Sequence, residues 1–221
     1  MDQEQEGVGL NMFLRILKEA VGQILHLQNG DAFLSWRREE ATRHYPELFG
    51  GLPDRDRRAL ATELGRQIWN ATPIPRRDFR PMPLPRTKAS DPCPCRSGRT
   101  FERCCAGAPA VPGLIPELMW ALVVGVLPLD RAAALAEEGG IPRPYLGIIA
   151  RRLVEAGQPF RAQRFLERLF EDPEVLSRSD MDTLDALLEA YEKLNLNEEV
   201  RSFVQRFAQG FLRADESDTN D

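Results

Sequence analysis

DPCPCRSGRTFERCCAG, residues 91–107, holds every cysteine of the chain: Cys93, Cys95, Cys104 and Cys105, spaced C-x-C-x8-C-C. With all of them confined to positions 93–105, nothing elsewhere is left to staple, whereas a disulfide framework acts by closing long loops. Two close pairs of soft ligands on a turn and its return are what a tetrahedral four-thiolate site needs, so all four are candidate metal ligands. Pro92, Pro94, Ser97 and Gly98 supply tight-turn chemistry around the first pair. Thr100 and Phe101 suit a short return strand or helix start carrying the second pair, and Phe101 is placed to shield the sulfurs. A module this small has no core of its own, so metal binding would supply its folding energy. Zinc is the default ion, and a mononuclear iron also accepts four thiolates; one ion per chain is expected. The competing reading is four reduced neighbours or an oxidised Cys104–Cys105 pair.

Working outward, the module lies between two helical regions. On the N-terminal side, residues 1–71 read as a three-helix unit. Leu10, Phe13, Leu14, Leu17, Val21, Ile24, Leu25 and Gln28 recur at helical spacing, and Asn29-Gly30 closes that helix. A second helix is expected over Asp31–Tyr45, with Phe33, Leu34 and Trp36 on its apolar face. Pro46 and Gly50-Gly51 break it. A third follows Pro53, with Asp54 and Asp56 favourably placed in its first turn and Leu60, Leu64 and Ile68 as its stripe.

Residues 72–90 form a Pro-rich basic linker. Pro81-Met82-Pro83-Leu84-Pro85 forbids helix and favours an extended path. The segment reads as a semi-rigid spacer, or alternatively as a strap lying on a helical domain.

Residues 113–213 read as a second helical domain, opening on LMWALVVGVLPL, residues 118–129. At about 12 residues this stretch is short of the roughly 20 that span a bilayer, so a buried core helix is expected, with no membrane span. An internal repeat is also visible. Residues 153–165, LVEAGQPFRAQRF, can be laid over residues 191–203, YEKLNLNEEVRSF, with Leu153 falling on Tyr191 and Phe165 on Phe203. Each copy would be a helix, a turn at Gly or Asn, and a second helix. The acidic tail ADESDTND, residues 214–221, reads as disordered. The fold class expected is therefore mostly α.

Two resemblances follow from these residues. Residues 150–173 and 190–203 resemble degenerate tetratricopeptide repeats, with a spacing between copies somewhat longer than the typical period; a generic helical bundle is the alternative. Residues 91–107 closely resemble the SEC-C motif, named for the C-terminal tail of the SecA translocase ATPase. The resemblance implies Cys93, Cys95, Cys104 and Cys105 as ligands, with Asp91, Pro92, Pro94, Ser97 and Gly98 also matching. Arg99 and Arg103 stand at basic positions and Phe101 at the aromatic one. Arg96 departs from the family, which has Gly there; if the position requires positive φ, an arginine costs on the order of 1 kcal/mol.

Charge is unevenly spread along the chain. The net charge is −5, yet residues 76–106 hold eight basic and three acidic side chains. A basic island in an acidic protein is a docking surface for an acidic partner, and Arg96, Arg99, Phe101 and Arg103 are its candidate contact residues. Arg96, Arg99 and Arg103 would equally offset the charge of a thiolate-bound ion. The resemblance implies partners such as an acidic chaperone, anionic lipid or the ribosome, and RNA is a further option.

Catalysis is not expected. The two histidines, His26 and His44, sit near helix ends outside any metalloprotease pattern, and no phosphate loop or dinucleotide fingerprint is present. Glu39-Glu40, Glu137-Glu138 and Glu198-Glu199 read as solvated faces. The N-terminus lacks the basic and apolar regions of a signal peptide. Clustered thiols suit a reducing compartment, so a cytoplasmic setting is expected. The leading expectation is a non-catalytic metal-binding adaptor for a chaperone, secretion or ribosome-associated partner. An RNA-binding module and a thiol-based redox-responsive regulator are the alternatives.

Overall fold

The computed structural model describes residues 3–44, 51–108, 111, 113–167, 170, 181–200, 202 and 205. The described residues are mostly helical and contain no strand beyond two isolated bridges. The chain divides into two compact units, Met1–Val126 and Leu127–Asp221.

In the first unit, α1 spans Gln3–Leu27, α2 spans Gly30–His44 and α3 spans Asp54–Ala71. The α1 stripe is buried over its C-terminal half, through Ile16, Leu17, Ala20, Val21 and Ile24. Leu10 is exposed instead. The α1–α2 junction is tighter than the expected Asn-Gly stop. Gln28 adopts φ 49, and its amide donates to the Ile24 carbonyl at 2.9 Å. Asn29 then caps the next helix, its Oδ1 accepting from the Ala32 amide at 2.9 Å. Phe33 of α2 packs on Trp69 of α3 with centroids 5.7 Å apart.

Between the two readings of the Pro-rich segment, the strap is the one observed. Asn70 Oδ1 accepts from the Leu84 amide at 2.8 Å. Arg66 donates to the Pro85 carbonyl at 3.0 Å, and Trp69 Nε1 to the Met82 carbonyl. Proline carries no backbone donor and holds the chain extended, so the strap's carbonyls stay open to side chains of α3. Its Leu84 covers Gly30, where an added Cβ would stand 2.5 Å from Leu84 Cδ2.

Helix α4, Pro116–Val126, buries Met119, Val123 and Val124. It is a core helix, packed on α1, and no single helix among the described residues is long and apolar enough to cross a membrane. Trp120 stacks on Phe79 at 4.7 Å. The helix closes the first compact unit, and the second begins at Leu127. The helix is apolar nearly all round, buries Met119, Val123 and Val124, and packs on α1 of the first unit.

The second unit contains α5, Leu129–Glu137; α6, Leu146–Glu155; α7, Pro159–Glu167; and α8, Met181–Lys193. Helices α6, α7 and α8 pack mutually around Ile149, Leu153, Ala162, Leu166, Leu187 and Tyr191. The two aligned turns are built alike. Gly157 has φ 74 and Asn195 has φ 56. Gly157 N donates to Val154 O at 3.0 Å, and Gln158 N to Leu153 O at 2.8 Å. Their counterparts in the second copy are Asn195 N to Glu192 O and Leu196 N to Tyr191 O, both at 3.0 Å. Both are Schellman caps, which turn the chain through a left-handed residue. Helix resumes at Pro159 in the first copy and at Asn197 in the second. Phe203, Pro173 and the tail 214–221 lie outside the described residues.

Candidate metal centre

The knuckle is assembled from turns. The Asp91 amide donates to the Lys88 carbonyl at 3.1 Å, and Asp91 Oδ2 accepts from the Lys88 amide at 2.7 Å. An isolated antiparallel bridge pairs Pro92 with Thr100. It is completed by Cys93 N donating to Arg99 O and Phe101 N to Asp91 O, both at 2.9 Å. The first cysteine pair thus lies on an outgoing turn. The return passes Thr100, and the second pair follows where Cys104 N and Ala106 N both donate to Phe101 O at 3.0 Å. Cys105 opens a short 3-10 turn, Cys105–Gly107.

All four thiols are free and buried. Their Sγ atoms lie within 4.8 Å of one another, and Cys95 and Cys104 approach to 3.4 Å. A tetrahedron with metal–sulfur bonds of about 2.3 Å requires sulfur separations of about 3.8 Å, inside that range. The donor set therefore fits one ion. Ala59 of α3 is buried against the four cysteines, with Phe101 and Ala108 packed over them. Sulfur, methyl and ring form one small core that no part of the knuckle would complete alone.

Burial pushes the Cys93 and Cys105 thiols above their ordinary value. At Cys95 burial acts in the same direction, but hydrogen bonding from Ser97, Cys93 and Cys104 outweighs it and brings the thiol down to about 7. The Ser97 hydroxyl also donates to Cys104 Sγ at 3.2 Å. Cys95 thus ionises readily while burial favours the protonated forms of Cys93 and Cys105, and a cation taken by the set must displace those protons, so its binding weakens as pH falls.

Arg96 adopts φ 55, so the position where the motif carries glycine is left-handed here. The Arg96 amide donates to Cys93 O at 2.9 Å, closing the first turn around the outgoing pair. The four-cysteine cluster is kept intact, at a backbone cost of roughly 1 kcal/mol.

Arg96, Arg99 and Arg103 are exposed, and Phe101 is half-buried. Phe101 belongs to the packing of the sulfurs, so only part of its ring remains for a partner. Two further arginines are not legible in the sequence as site residues. Arg55 and Arg58 occupy the first turns of α3 and line a cleft of about 330 Å³ together with Arg96, Ser97 and Arg99. Arg55 Nη2 donates to the carbonyls of Arg103 and Cys104 at 3.4 and 3.5 Å, tying α3 to the ligand turn. His26 is exposed at the end of α1, remote in sequence from this site.

The geometry defines a four-cysteine knuckle, seated on a helical unit, whose sulfurs are close enough to hold a metal ion. In agreement, the family model described as the SEC-C motif matches residues 90–107, so the chain carries a SEC-C motif. No curated protein and no solved structure matches the chain.

Proposed function

We propose that this protein is a non-catalytic adaptor that docks an acidic partner protein on a zinc-stabilised SEC-C knuckle. The observation that carries this reading is the inversion of the knuckle: its sulfurs are buried while Arg96, Arg99 and Arg103 are exposed around them. Four thiolates on a divalent ion carry about −2, so the arginines first neutralise the centre, and their excess faces outward. Zinc is the reading for the ion because it has no redox chemistry and tolerates a closed four-thiolate tetrahedron. An ion enclosed in this way has no open position for substrate, which favours a structural role over catalysis.

In the second unit, the paired helices and their matching turns support a tetratricopeptide-like hairpin arrangement that supplies a second protein contact. The partner is expected among chaperone, secretion or ribosome-associated proteins, on the strength of the SEC-C likeness. The test is capture from a cell extract by the metal-loaded chain, against Arg99→Glu/Arg103→Glu and Cys104→Ser/Cys105→Ser. A partner lost with both variants supports docking on the knuckle. A partner retained by both places its contacts elsewhere, and capture of nuclease-sensitive RNA favours the RNA-binding reading.

A further inference from the structure

The arginines beside the knuckle converge on more than a surface patch. The cleft between the start of α3 and the knuckle is walled by Arg55 and Arg58 from one side and Arg96 and Arg99 from the other. No carboxylate lines it among the described residues, and none of these four arginines forms an ion pair there. By contrast, the neighbouring Arg57 is paired with Asp54. Cys95 and Cys104 border the same cleft, so the metal centre lies beneath its floor.

The charge balance is informative. Four guanidinium groups against a thiolate-bound divalent ion of about −2 leave a surplus of about +2 in one cleft. Neutralising the metal centre therefore accounts for about half of them. Concentrating unpaired like charges is unfavourable unless an anion joins them. The guanidinium fork suits oxyanions that accept several hydrogen bonds at once. The lining offers no aromatic face to stack a base and no apolar slot for a peptide side chain. What remains is recognition of a compact, doubly charged group with many acceptor oxygens.

We propose that this cleft binds a phosphate group, held by Arg55 and Arg58 of α3 together with Arg96 and Arg99 of the knuckle. Because the walls come from two elements that the ion's knuckle joins, binding requires the metal. The cleft shares Arg96 and Arg99 with the docking surface and adds Arg55 and Arg58, which the docking reading does not use. The source of the group is a free phosphate or a small soluble phosphate ester.

The test is calorimetric titration of the metal-loaded full chain with inorganic phosphate and, separately, with glycerol phosphate. The expected result is saturable binding at one site, weakened about tenfold or more in Arg58→Gln and in Arg99→Gln. Both side chains are exposed, so these variants are expected to keep the metal content and helicity of the parent. Arg77→Gln and Arg80→Gln, outside the cleft, should bind as the parent does. Tighter binding of the ester identifies an ester as the ligand, and equal or weaker binding identifies free phosphate. The absence of saturable binding for both probes, or unchanged binding in Arg58→Gln and Arg99→Gln, overturns the proposal. Failure of the metal-loaded parent chain to capture any protein, with phosphate binding intact, would count against the docking reading alone.

Discussion

The hydroxyl of Ser97 donates a hydrogen bond to Sγ of Cys104, 3.2 Å away. This contact links the turn of the first cysteine pair to a ligand of the second. A donor on a thiolate sulfur spreads its charge and fixes its lone pairs toward the ion. Ser97→Ala should therefore weaken metal affinity by roughly tenfold while keeping the stoichiometry. Competition with a chromophoric chelator measures this directly, and unchanged affinity would assign Ser97 to turn formation alone.

Arg96 permits a separation of backbone from side chain. At φ 55 the residue stands where glycine is at ease. Arg96→Gly should leave the metal-loaded knuckle as stable or more stable, by up to about 1 kcal/mol. The same change removes one cation from the cleft, so anion binding should fall. Thermal unfolding and phosphate titration of one variant read the two effects in opposite directions.

The paired turns of the second unit give a symmetrical test. Gly157 sits at φ 74 and Asn195 at φ 56. Gly157→Ala should destabilise by about 1 kcal/mol, because an added Cβ crowds the left-handed backbone. Asn195→Gly should be near neutral, since asparagine already tolerates that region and glycine costs more entropy on folding. Chemical denaturation of both variants would show the asymmetry; equal losses would contradict the shared cap.

Metal removal should act locally. The strap's bonds to Asn70, Arg66 and Trp69 of α3 do not involve the cysteines. Chelation should therefore expose residues 88–108 to protease while the far-ultraviolet helical signal changes little. Loss of most of the helix on chelation would mean that the ion organises the first unit as a whole.

The candidate metal ligands are readable in the sequence because they are neighbours: four thiols crowded between positions 93 and 105 specify much of their own geometry. The helices are readable from their periodicity, although Asn29 reads as the end of α1 and is in fact the cap of α2. Short polar residues between two helices can serve either one, and only the backbone settles which. The strap cannot be told from a spacer by sequence, since its anchors are acceptors and donors on α3 and not a pattern within residues 72–90. Arg55 and Arg58 are invisible as site residues for the same reason. They stand far ahead of the cysteines in the chain and meet them only because Ala59, on the same helix, packs against the sulfurs. The place of α4 likewise depends on which helix covers it, which hydrophobicity alone does not say.

Cys93, Cys95, Cys104 and Cys105 are held to bind a single ion that organises the knuckle. Elemental analysis of the purified chain and of Cys104→Ser/Cys105→Ser tests this most directly. About one metal ion per wild-type chain, zinc by preference, and little or none in the variant is the expected result. Full metal content in the variant would contradict the site.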